Sequence, residues 1–243
     1  MEPDGWRRVD SPALAAWAAA VAPVAQAVVA QAGSEAWRHG GTWFVGVDAL
    51  PNDAAGAVAG GPGLPWADLP LAPVPLHRAQ LSVVRSGYPQ ADPDETEAAA
   101  RFRRVRDAAH LDGLLPVGPT RARMIREPHA WVLGVGLFGG GPGAAPTVVW
   151  PGSHRILHEG LAGALAGHPP AQWDGVDVTA AYMAARARVF ATCDRVEVAL
   201  APGQGVVLHR HLLHGMAPWT AGGGARAVAW FRPLLPSVQA WMA

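Results

Sequence analysis

The residues best suited to chemistry are His110 and Asp112, in the run Asp107-Ala108-Ala109-His110-Leu111-Asp112-Gly113, together with His214 far downstream. Two imidazoles and one carboxylate can hold one face of a divalent transition metal and leave its other positions open. That is the donor set of non-haem iron sites that handle dioxygen. The spacing restricts how the pair can act. On an extended strand, residues i and i+2 point to the same face, so His110 and Asp112 can reach one ion. On a helix they would diverge by about 200°, since each residue turns the chain by about 100°. A His-x-Asp pair also arises often by chance, so its weight depends on the surrounding segments.

Periodicity alone leaves the second histidine open. His209 and His211 share one face of the apolar stretch 205–212, and His214 has the opposite parity. An unbroken strand favours His211, whereas a bend after it, which Gly215 would permit, turns His214 inward. His39, His77, His129, His158 and His168 read as surface or satisfied core histidines. Arg121, Arg123 and Arg126 read first as a solvated face, although Arg121 and Arg123 would share a face of an extended segment and could reach an anion. Gln80 and Arg85 lie on an expected strand and could line a pocket. Most of the 11 tryptophans are expected in the core, with Trp150 placed nearest the site.

The elements that must position these groups are mostly short strands. Residues 42–47, 78–88, 130–137, 147–150, 196–200, 205–212 and 225–231 read as strands, and the chain is expected to re-extend from 105 to 111. In 78–88, Ala79, Leu81 and Val83 face one way and Arg78, Gln80 and Ser82 the other. Asp92-Pro93-Asp94-Glu95 predicts a capped helix running to about residue 103. Residues 156–166 and 178–190 also read as helices. Residues 51–75 are dense in Gly, Pro and Ala and read as a long loop, a lid or an edge connection. Gly139-Gly140-Gly141-Pro142-Gly143 has no lysine after it, so it reads as a flexible turn and not a phosphate loop. Many short strands, Gly/Pro turns and a few outer helices predict a mainly β, jelly-roll or cupin-like barrel.

Near the N-terminus, residues 13–33 carry no charge and follow Arg7-Arg8, so a signal peptide or membrane span has to be weighed. The larger apolar residues Leu14, Trp17, Val21, Val24 and Val28 trace one helix face, and the rest is mostly alanine, with Gln26, Gln31 and Pro23. This predicts a packing helix over 11–32, capped by Ser11-Pro12, stopped at Gly33 and kinked or interrupted at Pro23. The 243 residues, 50% of them hydrophobic, suffice for one domain with a large core. Acidic and basic residues balance at 19 each, which gives no field favouring nucleic acid or an anionic membrane. The single cysteine, Cys193, excludes an internal disulfide and reads as a buried small hydrophobe in a reducing, cytoplasmic setting.

Three further segments stand around the His-x-Asp pair: the turn Pro151-Gly152-Ser153-His154, the stretch APGQGVVLHRHLLHGM ending just past His214, and ARAVAWF with Arg226. With these in order, residues 75–235 resemble the phytanoyl-CoA dioxygenase family of Fe(II)/2-oxoglutarate-dependent oxygenases. The resemblance implies a double-stranded β-helix in a single domain, 1–243. It makes His110, Asp112 and His214 the iron ligands and Arg226 the anchor of the 2-oxoglutarate distal carboxylate, with Arg121, Arg123 and Arg232 as alternatives. It makes the histidine of the turn, His154, structural. Gln204 and Met216 depart from the family, which often has an aspartate and a hydroxyl residue there. The implied reaction is hydroxylation of a small-molecule substrate by dioxygen, releasing succinate and CO2. Asp112 fills the position a halide would need, so hydroxylation is favoured over halogenation. The alternatives are a cupin-like metalloenzyme that does not use 2-oxoglutarate and a non-catalytic binding barrel.

Overall fold

Alternation of large apolar residues with small or polar ones gives the chain a sheet with two usable faces, and both are covered. The computed structural model describes residues 3–243. In chain order the elements are β1 (Trp6–Asp10), α1 (Pro12–Ala30), β2 (Trp37–Arg38), β3 (Trp43–Gly46), β4 (Gln80–Arg85), α2 (Glu97–Val105), β5 (Leu114–Val117) and β6 (Ala122–Ile125). They continue with β7 (Trp131–Phe138), β8 (Thr147–Val149), α3 (Ser153–Leu165), α4 (Thr179–Thr192), β9 (Val196–Val198), β10 (Gln204–His209), β11 (His214–Met216), β12 (Ala225–Phe231) and α5 (Val238–Met242). The major sheet is antiparallel in the order β1-β10-β7-β12-β4-β3-β2. A minor sheet, β11-β8-β9, faces it, and β5-β6 form a separate hairpin. This is a mainly β jelly-roll of the cupin type with helices outside.

Period-2 patterning sorts the core into layers. Ala227, Ala229 and Phe231 of β12 turn outward with Leu81 and Val83 of β4 and meet Leu14, Trp17 and Val21 of α1. The opposite face supplies Val228 and Trp230, which pack with Val132, Val206 and Leu208 against Val149 and Val198 of the minor sheet. Behind the minor sheet, Val148 and Trp150 pack on Leu157 and Leu161 of α3, Val189 of α4 and Trp241 of α5. At Gly134 of β7 a Cβ would lie 2.4 Å from the Trp230 ring, so the missing side chain makes room for that indole.

Several expectations are corrected. No strand runs over 105–111. There α2 extends to Val105, and Asp107 and Ala108 then take positive φ values of 54° and 51°, a sharp reversal. The helix cap is Thr96, which accepts from the Ala99 N–H, while Asp92 accepts from the Gly40 N–H. The helix α1 passes Pro23 unbroken. Pro23 lies on the exposed side, where water can satisfy the carbonyl it leaves free. It is the one helix among the described residues long and apolar enough to cross a membrane. Its Trp17 is nonetheless fully buried, donates Nε1–H to the Gly56 carbonyl at 2.9 Å and packs edge-on to Phe231. The stretch 51–75 is no lid: Val58, Leu64 and Leu69 are buried in the layer beneath α1. Cys193 is half-buried. Finally, β10 stops at His209 and a turn separates it from β11, so the stretch is two strands and not one.

Candidate active site

The turn after β10 decides which histidine faces which way. Along β11, His214 pairs with the 107–112 segment: the His110 N–H donates to the His214 carbonyl at 2.8 Å, and the reverse bond is 3.1 Å. The Met216 N–H donates to the Asp107 carbonyl at 2.7 Å. This close approach needs Gly215, because a Cβ there would lie 2.3 Å from the Asp107 oxygen. Asp107, itself buried, is gripped bidentately by Arg195 at 2.7 and 2.8 Å, which ties the segment to the start of β9.

The local geometry leaves three donors converging. The His110 Nδ1–H donates to the Ala108 carbonyl and the His214 Nδ1–H to the Leu212 carbonyl, both at 3.0 Å. Those bonds fix the tautomer that leaves each Nε2 lone pair free. The two Nε2 atoms lie 3.3 and 3.5 Å from the Asp112 carboxylate, and one atom from each residue lies within 4.8 Å of the others. Leu111 points away into the core. His110 and Asp112 thus share a face as an extended pair would, although no regular strand carries them. Burial pushes the Asp112 carboxyl up. The Arg232 guanidinium, which donates to Asp112 through Nε at 2.7 Å, outweighs it and holds the group well below the usual carboxylate range. An anionic oxygen between two neutral imidazoles suits a divalent metal, and no fourth His, Cys, Asp or Glu joins the group among the described residues.

These residues open on a cavity of about 840 Å³ that also contains Gln80, Tyr88, Arg226 and Arg232. Arg226 is 5% exposed and donates through Nε to the Ala145 carbonyl at 2.8 Å. Among the described residues no carboxylate pairs with it. Burial lowers its pKa to about 10, so it stays charged at neutral pH. Beside it, the buried Tyr88 hydroxyl lies near the Arg103 guanidinium, which can only donate to it, so the phenol proton has no acceptor; burial pushes the phenol up to about 12. An unpaired buried cation and an idle donor form a receptor for a carboxylate. The residues therefore fit both a metal ion and an anionic co-substrate in one cavity.

Other expected residues fall elsewhere. Arg121 sits at the exposed tip of the β5–β6 hairpin at a positive φ of 54°, outside the cavity, and Arg123 donates to the Leu114 carbonyl. Arg85 stacks over Trp37 at 3.5 Å. Gln80 does line the cavity, but its amide oxygen accepts from Arg232. Trp150 is buried against Phe190, and the cavity indoles are Trp43 and Trp230. His211 turns away from the donor set and packs edge-on to Trp241. His77 and His129, expected as bland surface or core residues, line the cavity, and both donate to the Arg232 carbonyl, at 2.9 and 3.0 Å. Arg232 in turn donates Nε–H to Asp112 at 2.7 Å. Arg232, expected as an alternative anchor of the co-substrate, is bound instead to a ligand residue; residues 226, 228, 230 and 232 alternate onto one face. No pattern pointed to Tyr88.

Comparison with protein-family models and with curated protein sequences gives no match. Solved structures do match. The non-haem alpha-ketoglutarate-dependent epimerase SnoN of nogalamycin biosynthesis aligns over 95% of this chain and 77% of its own, with a TM-score of 0.50 and 16% identity. The carbocyclase SnoK of the same biosynthesis covers 98% and 84% at a TM-score of 0.46 and 15% identity. EctD from S. alaskensis, solved with bound Fe, covers 95% and 72% at 0.45 and 16%. The likeness to SnoN shows a shared fold.

Proposed function

We propose that the chain is an Fe(II)/2-oxoglutarate-dependent oxygenase that hydroxylates a small-molecule substrate, with His110, Asp112 and His214 as iron ligands. One observation carries this reading: a His–Asp–His donor set shares its cavity with Arg226, a buried guanidinium that lacks a counter-ion. Bound Fe(II) with 2-oxoglutarate and dioxygen would supply oxidising power toward a C–H bond, one oxygen atom going to the substrate and the other to succinate as CO2 leaves. The chain's own part is placement. Arg226 grips the distal carboxylate of 2-oxoglutarate, and the Tyr88 hydroxyl donates to it, taking the part the family gives to a hydroxyl where this chain has Met216. Arg232 holds one oxygen of Asp112 and leaves the other as the donor that a metal would take. The phytanoyl-CoA dioxygenase resemblance supports the same assignment.

The test is an anaerobic titration with Fe(II) and 2-oxoglutarate followed by visible absorption. A charge-transfer band that needs both components is the expected result. Iron binding without such a band would favour the cupin-like enzyme that does not use 2-oxoglutarate. Failure to bind iron would leave only a binding barrel. SnoN, named as an epimerase, shares the fold. Product analysis must therefore show gain of one oxygen atom for hydroxylation to stand.

A further inference from the structure

The cavity has two ends of different character. The inner end contains the donor set, Arg226 and Tyr88, and the proposed function fills it with metal and co-substrate. The outer end remains for the substrate. Among the described residues, five large hydrophobic side chains are strongly exposed, and three of them, Val47 at 68%, Leu234 at 57% and Leu115 at 38%, line this cavity. They come from three separate segments: the turn after β3, the stretch after β12, and β5. Their convergence is thus not the by-product of a single apolar loop, and exposed apolar groups gathered around a concavity mark a binding surface. The Trp43 and Trp230 indoles also line it.

The polar groups of the outer end are largely occupied with one another. Ser82 accepts from Trp43 Nε1 at 2.9 Å, and His77 and His129 are spent on the Arg232 carbonyl. Three arginines line the cavity. Arg226 belongs to the inner end, Arg232 is held by Asp112 and Gln80, and Arg78 is folded onto the Ala49 and Leu50 carbonyls at 3.1 and 3.3 Å. The carboxylates exposed there, Asp48 at 63% and Glu127 at 48%, lie 3.5 and 3.4 Å from the ring nitrogens of His77 and His129. An acid group on the substrate would meet two like charges and no uncommitted guanidinium.

From this we infer that the substrate is a large, predominantly apolar molecule without a carboxylate or phosphate, bound with part of its body across the rim. The inference rests on the proposed placement of 2-oxoglutarate at the inner end. A volume of about 840 Å³ still accommodates a drug-sized compound beside a five-carbon dicarboxylate. A nucleotide thioester or a free amino acid, each recognised through acidic groups, does not fit this lining.

The probe is Nile red, an uncharged dye whose fluorescence rises in apolar surroundings. Saturable binding is expected, displaced by a steroid alcohol but not by the carboxylic acid of the same ring skeleton or by free proline. Val47→Asp and Leu234→Asp change exposed positions and leave the core intact. Each should weaken the dye about tenfold, the effect of withdrawing one aliphatic contact, and leave the Fe(II)–2-oxoglutarate absorption band unchanged. No saturable binding, equal displacement by acid and alcohol, or wild-type affinity in both variants would overturn the inference. A missing absorption band in the wild type would count instead against the 2-oxoglutarate reading, and the dye would then still report on the rim by itself.

Discussion

Asp112 is where three demands meet: it must stay ionised while buried, face two imidazoles, and keep one oxygen free. Arg232 meets all three by neutralising the carboxylate and occupying one oxygen at 2.7 Å. Asp112→Ala removes the only anionic donor, so iron binding and turnover should both be lost. An iron stoichiometry equal to wild type in that variant would remove the triad assignment. Arg226 makes a separable contribution. Losing a buried, charge-assisted contact costs on the order of 2–5 kcal/mol, which is roughly a 30- to several-thousand-fold weaker partner. Arg226→Met should therefore raise the apparent Michaelis constant for 2-oxoglutarate over that range while iron remains bound, and an unchanged constant would move the anchor elsewhere. Tyr88→Phe deletes one hydrogen bond to a charged carboxylate, worth about 1.5–3 kcal/mol, so roughly a ten- to hundred-fold rise is expected in the same measurement. Residue types and order made His110, Asp112 and Arg226 stand out in the sequence. Tyr88 did not stand out, because a lone tyrosine after a strand carries no spacing signal, and only a phenol proton without an acceptor beside Arg226 distinguishes it.

The donor set is held by a junction of irregular backbone and not by a strand. Gly215 lets β11 close on the Asp107 carbonyl, and the Asp107–Arg195 pair fixes the other side. Gly215→Ala must push the 107–110 segment away, so iron affinity should fall by at least tenfold while far-UV circular dichroism stays native. Retained affinity would mean that the junction yields without moving His110. The same junction marks where the sequence stopped being readable. Regular elements were legible because their periodicity is dictated by two-sided burial: 225–231 and 147–150 match β12 and β8 to within a residue. The stretch 105–111 was misread as extended because nothing in Asp107-Ala108 announces a left-handed conformation, which tertiary contacts impose there. Residues 51–75 read as a long loop, a lid or an edge connection on their glycine and proline content, and they are a loop. Yet Val58, Leu64 and Leu69 are scattered apolar anchors without a period, and only the fold shows what they anchor to. The bend expected after His211 falls earlier, in a turn at Arg210 and His211 between β10 and β11, and it separates the fates of two histidines three residues apart.

On the scale of the whole molecule, the other fate of that turn sets how the protein meets acid. His211 is 1% exposed, and neither ring nitrogen has a hydrogen-bond partner. It packs against Trp241 at 4.2 Å, with His158 and His209 at 5.2 and 5.3 Å, His154 next to His209, and Arg210 adjacent. Burial, reinforced by these neighbours, lowers His211 to about 2 and His209 to about 4. An unfolded chain would protonate both near pH 6.5. Below that pH the unfolded state therefore takes up protons that the folded state refuses. Stability is fully present above about pH 6.5 and is lost as pH falls, through about 4 for His209 and further for His211. Each histidine contributes a slope of up to about 1.4 kcal/mol per pH unit. Asp112 acts in a lower window, because its depressed carboxyl costs stability only once pH drops below the ordinary carboxylate value. Thermal unfolding between pH 7.5 and 4.5 should thus show a melting temperature that declines from about pH 6.5 downward. His211→Phe keeps a flat ring against Trp241 and removes a buried unpaired N–H. It should match or exceed wild-type stability at pH 7.5 and show a shallower decline toward pH 4.5, with iron binding intact because the ring lies outside the donor set. If the two proteins lose stability in parallel, His211 is not the group that titrates. If the variant loses iron, the turn has failed to hold His211 and His214 on separate faces.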